Sequence, residues 1–309
     1  MVYNFYEVFL MESILLKKCE LCPRKCGINR LDGKVGYCGA GYNVKLSKAM
    51  LHKWEEPCIS FGNGSGAVFF TNCSMSCVFC QNFDISQERF GKDVSIERLS
   101  DIYIILQEKG AQNINLVSPT HYIPQIIESI KIAKQKGLNL PIIYNSNGYE
   151  SAHALKMLEG IVDVYLPDIK YYNDIYSVKY SKTPHYFKYA SESVLEMYRQ
   201  VGSPVFEGEG IKKGVIIRHL LLPGLLPESK KILDWIAKNL PKSIYISLMC
   251  QYIPLYKAKD YPEINKKISK KSYEWLIDYA LSIGLENGFI QDFESADTSF
   301  TPYFNLEGL

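Results

Sequence analysis

The sequence predicts an α/β fold: a partial, open (β/α)6-type barrel with a small N-terminal cysteine-rich metal-binding module. Three observations predict it. From about residue 66, short apolar runs alternate with helix-period segments, the pattern of parallel strands joined by crossover helices. Six strand-plus-helix units can be read and a full eight do not fit, so the barrel is expected to be open. Eight of the nine cysteines precede residue 81, and clustering of this kind favours metal ligation over disulfides.

Taken in order, Phe5 to Lys18 reads as a short helix with Val8, Met11, Leu15 and Leu16 on one face. Residues 42–60 read as a connector. Gly66 to Thr71 is the first buried strand and Gly91 to Leu106 the first crossover helix. The strand Asn113 to Val117 is followed by a helix from Tyr122 to Gln135. Pro141 to Tyr144 precedes the helix Ser151 to Leu158, and Val162 to Leu166 precedes Ser191 to Val201. The strand Val215 to Leu222 leads to the helix Glu228 to Asn239, and Ser243 to Met249 to the helix Ser269 to Ile283. Phe289 to Gln291 ends the series as a short terminal strand, and an aromatic tail through Phe304 packs across the barrel opening or a helix. The expected division is 1–60 for the module and connector, 61–292 for the barrel and 293–309 for the tail.

Composition removes several classes. The formal net charge is +2, which gives no general nucleic-acid or membrane surface. The lysine-rich stretch from Lys257 to Lys271 reads as a solvated loop and helix face. No run reaches 18 apolar residues, too few for a membrane span. Met1 to Asn4 lacks a basic leader and Phe5 to Leu16 is interrupted by Glu7 and Glu12, so a cytoplasmic chain is expected.

The chemistry centres on Asn72 to Asn82, NCSMSCVFCQN, where Cys73, Cys77 and Cys80 form C-x3-C-x2-C. Three soft thiolates so close together can wrap one corner of a metal site. A cubane iron–sulfur cluster has four irons, so three cysteines leave one iron open to a small chelating molecule. The spacing differs from the ferredoxin run and from paired C-x2-C zinc ribbons. A structural zinc or a packed, redox-inert thiol set is the alternative.

Cys19, Cys22, Cys26 and Cys38 form a second group, C-x2-C-x3-C-x11-C, in a glycine- and proline-rich stretch with no core of its own. Four thiolates there suit a closed zinc site or an auxiliary iron–sulfur cluster, and spacing does not separate the two. The role of such a site can be folding alone. Arg24, Lys25 and Arg30 lie among these thiolates. Cys58 belongs to neither group and reads as a buried thiol or an extra ligand.

The C-x3-C-x2-C run, with aromatic Phe79 before the third cysteine, resembles the cluster motif of the radical S-adenosylmethionine (SAM) superfamily. The resemblance implies a [4Fe-4S] cluster on Cys73, Cys77 and Cys80, SAM on the open iron, and an electron that cleaves SAM to methionine and a 5'-deoxyadenosyl radical. It also implies a reducing partner such as flavodoxin or ferredoxin. Over about residues 62–290 the chain is similar to the pyruvate formate-lyase activating enzyme branch. In that branch a Gly-Gly-Glu loop after the second strand binds the SAM amino group. Here the matching place reads Val117-Ser118-Pro119-Thr120-His121, which leaves Ser118, Thr120 or backbone carbonyls for that contact. The branch's Thr-Asn-Gly loop resembles Ser146-Asn147-Gly148, its Asp-Leu-Lys resembles Asp168-Ile169-Lys170, and its later basic residue resembles Arg218 or His219. By the same resemblance Lys170 pairs with the SAM carboxylate, Asp168 accepts from the amine or a sugar hydroxyl, and Phe79 stacks on adenine; the alternative is that Asp168 and Lys170 pair only with each other. Arg218 and His219 are strand neighbours that face opposite ways, so one of them enters the site. The N-terminal C-x2-C-P-R-x-C-G module resembles a subgroup of activating-enzyme-like proteins.

The expected function is therefore hydrogen abstraction by a radical SAM enzyme, with a protein glycine as one substrate. Radical modification of a small molecule, peptide or RNA is the alternative, and a non-enzymatic iron–sulfur electron carrier the reading outside enzymes.

Overall fold

The computed structural model describes residues 15–293 and 301–309. The expected helix Phe5–Lys18 lies mostly outside the described residues. Residues 15–17 are helical and Leu16 is buried in the main core.

The described strands are β1 (Val44–His52), β2 (Ser65–Phe70), β3 (Lys92–Val94), β4 (Ile114–Val117), β5 (Ile142–Ser146), β6 (Val164–Pro167), β7 (Val205–Glu207), β8 (Gly210–Leu220), β9 (Tyr245–Met249) and β10 (Gly288–Ile290). They form one mixed sheet in the order β10-β9-β8-β6-β5-β4-β2-β1-β3, with β7 beside β8 off this path. From β2 to β10 along this order every pairing is parallel. The additions β1, β3 and β7 are antiparallel. The order has two ends, as an open partial barrel requires.

The crossover helices are α1 (Ile96–Glu108), α2 (Ile123–Gln135), α3 (Ala152–Leu155), α4 (Asp174–Ser181), α5 (Tyr186–Val201), α6 (Leu226–Asn239) and α7 (Lys270–Ser282). Their starts are chemically marked. Ser95, Ser151, Asn173 and Ser269 each accept a backbone N–H of the first turn, and Pro124 and Pro227 occupy the opening turns of α2 and α6.

Alternation along the strands divides the interior. Tyr144, Tyr165, Val215 and Ile217 face the helices in the large core. Ile143, Val164, Leu166 and Ile216 face inward, where Cys58 and Ile59 of the β1–β2 loop cover them. Ala67 and Phe69 of β2 also face inward and are covered by Ile85 and Phe304. Two segments outside the repeat therefore fill the barrel: the β1–β2 loop and the tail. The tail is fixed along β1 by Ala49 N–H donating to Glu307 O (2.9 Å) and Leu306 N–H donating to Ser47 O (3.0 Å).

Several elements differ from expectation. Lys92–Val94, read as the start of the helix from Gly91, is the strand β3, and β7 was not expected. Residues 42–60, read as a connector, contain β1, which pairs with both β2 and β3. Its Ser47 and Lys48 are buried, which breaks the apolar pattern a strand normally shows. Helix α4 was not expected because its buried face is Ser177, Tyr180 and Ser181, a polar set with little helical periodicity. Among the described residues no helix is long and apolar enough to cross a membrane.

Candidate active site

The carboxyl ends of β2, β4, β5, β6, β8 and β9 surround a cavity of about 260 Å³. This is where a parallel α/β sheet collects functional loops. Cys73, Cys77 and Cys80 all line it, in the loop that follows β2.

Backbone bonds shape that loop. Asn72 takes a left-handed conformation (φ 83°) to turn off the strand. Ser76 N–H donates to Ser181 O (3.0 Å), Val78 N–H to Tyr180 O (2.8 Å) and Lys257 N–H to Val78 O (2.9 Å). Each sulfur also has a polar neighbour. Ser181 Oγ donates to Cys77 Sγ at 3.0 Å, and Ser86 Oγ lies 3.2 Å from Cys80 Sγ. Met75 N–H and Asn147 Nδ2 donate to Cys73 Sγ, each at 3.4 Å. Burial pushes the Cys73 thiol up to about 12. It pushes Cys77 up to about 11, with Lys170 opposing the rise. Burial raises Cys80 as well, against the Ser86 hydrogen bond. Burial thus disfavours the thiolate form at all three sulfurs.

Phe79, Ser118, Asn147, Asp168, Lys170 and Arg218 line the same cavity. Phe79 is buried and packs edge-on to Tyr252 at 5.5 Å. Ser118 stands in the left-handed region (φ 59°). Lys170 forms a short ion pair with Asp168. Burial lowers the Lys170 ammonium, but Asp168 and Cys77 outweigh it and leave it raised. Arg218 pairs with Glu55 and Glu56 and donates to Asn145 Oδ1 at 3.2 Å. Burial pushes Glu56 up, yet Arg218 outweighs burial and holds its carboxyl below the usual range.

Thr120, Gly148 and His219 stand back from the cavity. Thr120 Oγ1 donates to buried Glu150 at 2.6 Å. His219 faces away, with Nδ1 2.6 Å from Ile169 O and Nε2 2.7 Å from Ser229 Oγ. Burial holds it down at about 4. Of the two strand neighbours, Arg218 is the one that enters. Gly148 has φ 78°, and a Cβ there would stand 2.0 Å from Asp168 O. The close approach of the β5 and β6 loops therefore requires glycine.

Sequence reasoning missed three groups. Glu55 and Glu56 reach the site from the β1–β2 loop, and their partner Arg218 is more than 160 residues away. Asn145 and Asn115 both donate to Glu55 Oε1, at 3.4 and 3.0 Å. Glu150 is fully buried and accepts from Thr120, Ser146 (2.7 Å) and Tyr144 (3.3 Å). Burial raises its carboxyl against these donors. The sequence Ser146-Asn147-Gly148-Tyr149-Glu150 carried one signal, an acid in an otherwise uncharged loop.

In the N-terminal segment Cys19 and Cys22 are buried, Cys38 is half-buried and Cys26 is exposed. Gly27 N–H donates to Cys19 O (3.0 Å) and Lys25 N–H to Cys22 O (3.1 Å), so the chain turns tightly around the first two thiols. A Cβ on Gly36 would meet Cys26 Sγ at 2.6 Å, which brings Cys26 back towards the Cys38 turn. Buried Arg30 ties the segment to the barrel through His121 O at 2.6 Å. Cys58 packs in the barrel floor. Among the described residues no three His, Cys, Asp or Glu side chains stand in a preassembled metal-holding group.

A thiol-lined cavity over parallel strand ends, with an ion pair and amide donors on its walls, defines a cofactor-dependent α/β enzyme. The family model of the radical SAM superfamily matches residues 67–236, more than half of the chain. The chain belongs to the radical SAM superfamily and is a radical SAM enzyme. It is similar to an uncharacterized protein of Methanocaldococcus jannaschii, 32% identical over 281 residues, covering 88% of this chain and 77% of that protein. It also shares 16% identity with the structure of methylornithine synthase (TM-score 0.48), over 71% of this chain and 60% of that one. A domain of pyruvate-formate lyase-activating enzyme from Bacteroides vulgatus is 14% identical (TM-score 0.40), over 55% of this chain and 92% of that domain.

Proposed function

We propose that Cys73, Cys77 and Cys80 hold a [4Fe-4S] cluster and that SAM binds over its open iron, in a hydrogen-abstracting enzyme of the activating-enzyme-like branch. One observation carries the reading: three thiols, Asn147 and the Asp168–Lys170 pair line a single cavity at the strand ends. The residues fit the group. Three soft donors line one cavity, each has a hydrogen-bond donor or hydroxyl beside its sulfur, and Lys170 adds positive charge next to Cys77.

In this reading Lys170 meets the SAM carboxylate, and Asp168 meets the amine or a ribose hydroxyl. Ser118 takes the amino-group contact beside them. Phe79 offers an apolar wall to the adenine. Asn147 orients Cys73 and closes the side of the cavity. Thr120, Gly148 and His219 act on the loops rather than on the cofactor. Arg218, neutralised by Glu55 and Glu56, forms the polar floor under the substrate. Bound there, cluster and SAM would supply a 5'-deoxyadenosyl radical able to abstract one substrate hydrogen.

The substrate in this proposal is a protein glycine, as in the activating enzymes. Flavodoxin or ferredoxin supplies the electron. Cys19, Cys22, Cys26 and Cys38 hold zinc or an auxiliary cluster. The functional units are 1–60, 61–292 and 293–309, in a cytoplasmic protein. A small-molecule substrate is the second reading, favoured by Thr301 and Pro302 of the tail, which line the cavity and narrow it.

The test is a SAM titration of the reduced, reconstituted protein followed by electron paramagnetic resonance. SAM is expected to change the cluster signal, and Lys170→Ala to weaken that response. A signal indifferent to saturating SAM sinks the assignment.

A further inference from the structure

The four-cysteine segment contacts the three-cysteine loop, and it does so through two residues that are not cysteines. Arg24 lies between Cys22 and Cys26, and Tyr37 directly precedes Cys38. Arg24 Nε donates to Ser74 O at 3.0 Å, and its Nη2 donates to Lys182 O at 2.5 Å. Tyr37 OH lies 2.8 Å from Ser76 Oγ. The guanidinium is stacked over the Tyr37 ring at 3.8 Å, so the two side chains form one unit.

Ser74 and Ser76 are spacer residues between Cys73 and Cys77. From the barrel side they are already held, Ser74 Oγ by Asn147 Nδ2 (3.3 Å) and Ser76 N–H by Ser181 O (3.0 Å). Arg24 and Tyr37 hold the same spacer from the N-terminal segment. Lys182 ends α4 in a left-handed conformation. The residue before it, Ser181, donates to Cys77 Sγ. A single guanidinium therefore links the thiol loop to the end of the helix that hydrogen-bonds one of its sulfurs.

We propose that the N-terminal four-cysteine segment is a clamp on the three-cysteine loop, with Arg24 and Tyr37 as positioning residues. The inference rests on the reading that residues 73–80 hold a cluster. Both residues sit beside cysteines, so whatever orders those thiols also sets where the clamp stands. A planar, forked donor is needed because two carbonyls in different segments are bonded at once, and lysine reaches one of them. Displacing the loop by a fraction of an ångström alters the hydrogen bonds to the sulfurs and the placement of SAM.

The experiment uses the full-length, reconstituted holoprotein and three variants: Arg24→Ala, Arg24→Lys and Tyr37→Phe. The readouts are metal content, the resonance spectrum of the reduced cluster with and without SAM, and the KM for SAM. Arg24→Ala is expected to keep its metals but shift the spectrum and raise the KM roughly tenfold. Arg24→Lys should fall between it and the wild type, and Tyr37→Phe should show a smaller shift in the same direction. A lower melting temperature with unchanged spectrum and KM overturns the proposal, because the contact is then structural support only. If Arg24→Ala fails to fold, Tyr37→Phe decides: a wild-type spectrum and KM there also overturn it. Failure of the underlying reading looks different. The wild-type protein would then lack a reduced-cluster signal, or keep it after Cys77→Ala.

Discussion

Ser181, the last residue of α4, donates its hydroxyl to the sulfur of Cys77 across 3.0 Å, in a fully buried contact. A donor at a cluster sulfur stabilises the extra negative charge of the reduced state. Ser181→Ala is therefore expected to make the cluster harder to reduce. A redox titration followed by resonance spectroscopy checks this, and an unchanged midpoint potential contradicts it.

The Arg218 floor makes a stability prediction. Arg218 is buried against Glu55 and Glu56. Arg218→Ala leaves two carboxylates in the interior without their counter-charge and should cost about 3–5 kcal/mol. The triple variant Arg218→Met, Glu55→Gln, Glu56→Gln should recover most of that loss. Urea unfolding of the set decides it. A single Arg218→Ala variant as stable as the wild type contradicts the buried network.

At Gly148 the loops from β5 and β6 meet. Gly148→Ala places a methyl 2.0 Å from Asp168 O and forces φ 78° on an L side chain. The β6 loop must shift, and Asp168 and Lys170 move with it. Lower thermal stability and a raised KM for SAM are expected together. Wild-type values for both would mean the loops separate freely.

His219 gives the fold an acid limit. Its ordinary value is 6.5 and burial lowers it to about 4 in the folded chain. Between those values the unfolded chain binds a proton that the folded chain refuses. Stability is thus full above about 6.5 and falls as pH drops towards 4, by about 3 kcal/mol for a shift of this size. His219→Gln should make that part of the pH–stability curve shallower, while buried His121, held down at about 3, keeps the remaining slope. Parallel curves for wild type and variant contradict the assignment.

The seven parallel strands were legible because each is a short apolar run bounded by turn residues, as in Ile114–Val117 and Val164–Pro167. The three thiols and most of the cavity wall were legible because they follow those strands directly. Other features were hidden by long-range pairing. Buried Lys48 on β1 is satisfied by Tyr303 O, Asn305 and Glu307 of the tail, so its strand looks polar in isolation. Glu55 and Glu56 look like a solvated pair until Arg218 is placed beside them. Thr120 is a hydroxyl in the right loop, but buried Glu150 turns it from the cavity, and nothing local to residue 120 announces that acid.

The most direct test of the central claim is anaerobic. The reconstituted protein is analysed for iron and zinc, then given SAM and dithionite, and 5'-deoxyadenosine is measured for the wild type and for Cys77→Ala. The account predicts one four-iron cluster at the β2 loop, with iron beyond four or zinc identifying the metal at Cys19–Cys38. It also predicts 5'-deoxyadenosine from the wild type and none from Cys77→Ala. Iron-loaded wild-type protein that leaves SAM intact, or a Cys77→Ala variant that still cleaves it, contradicts the account.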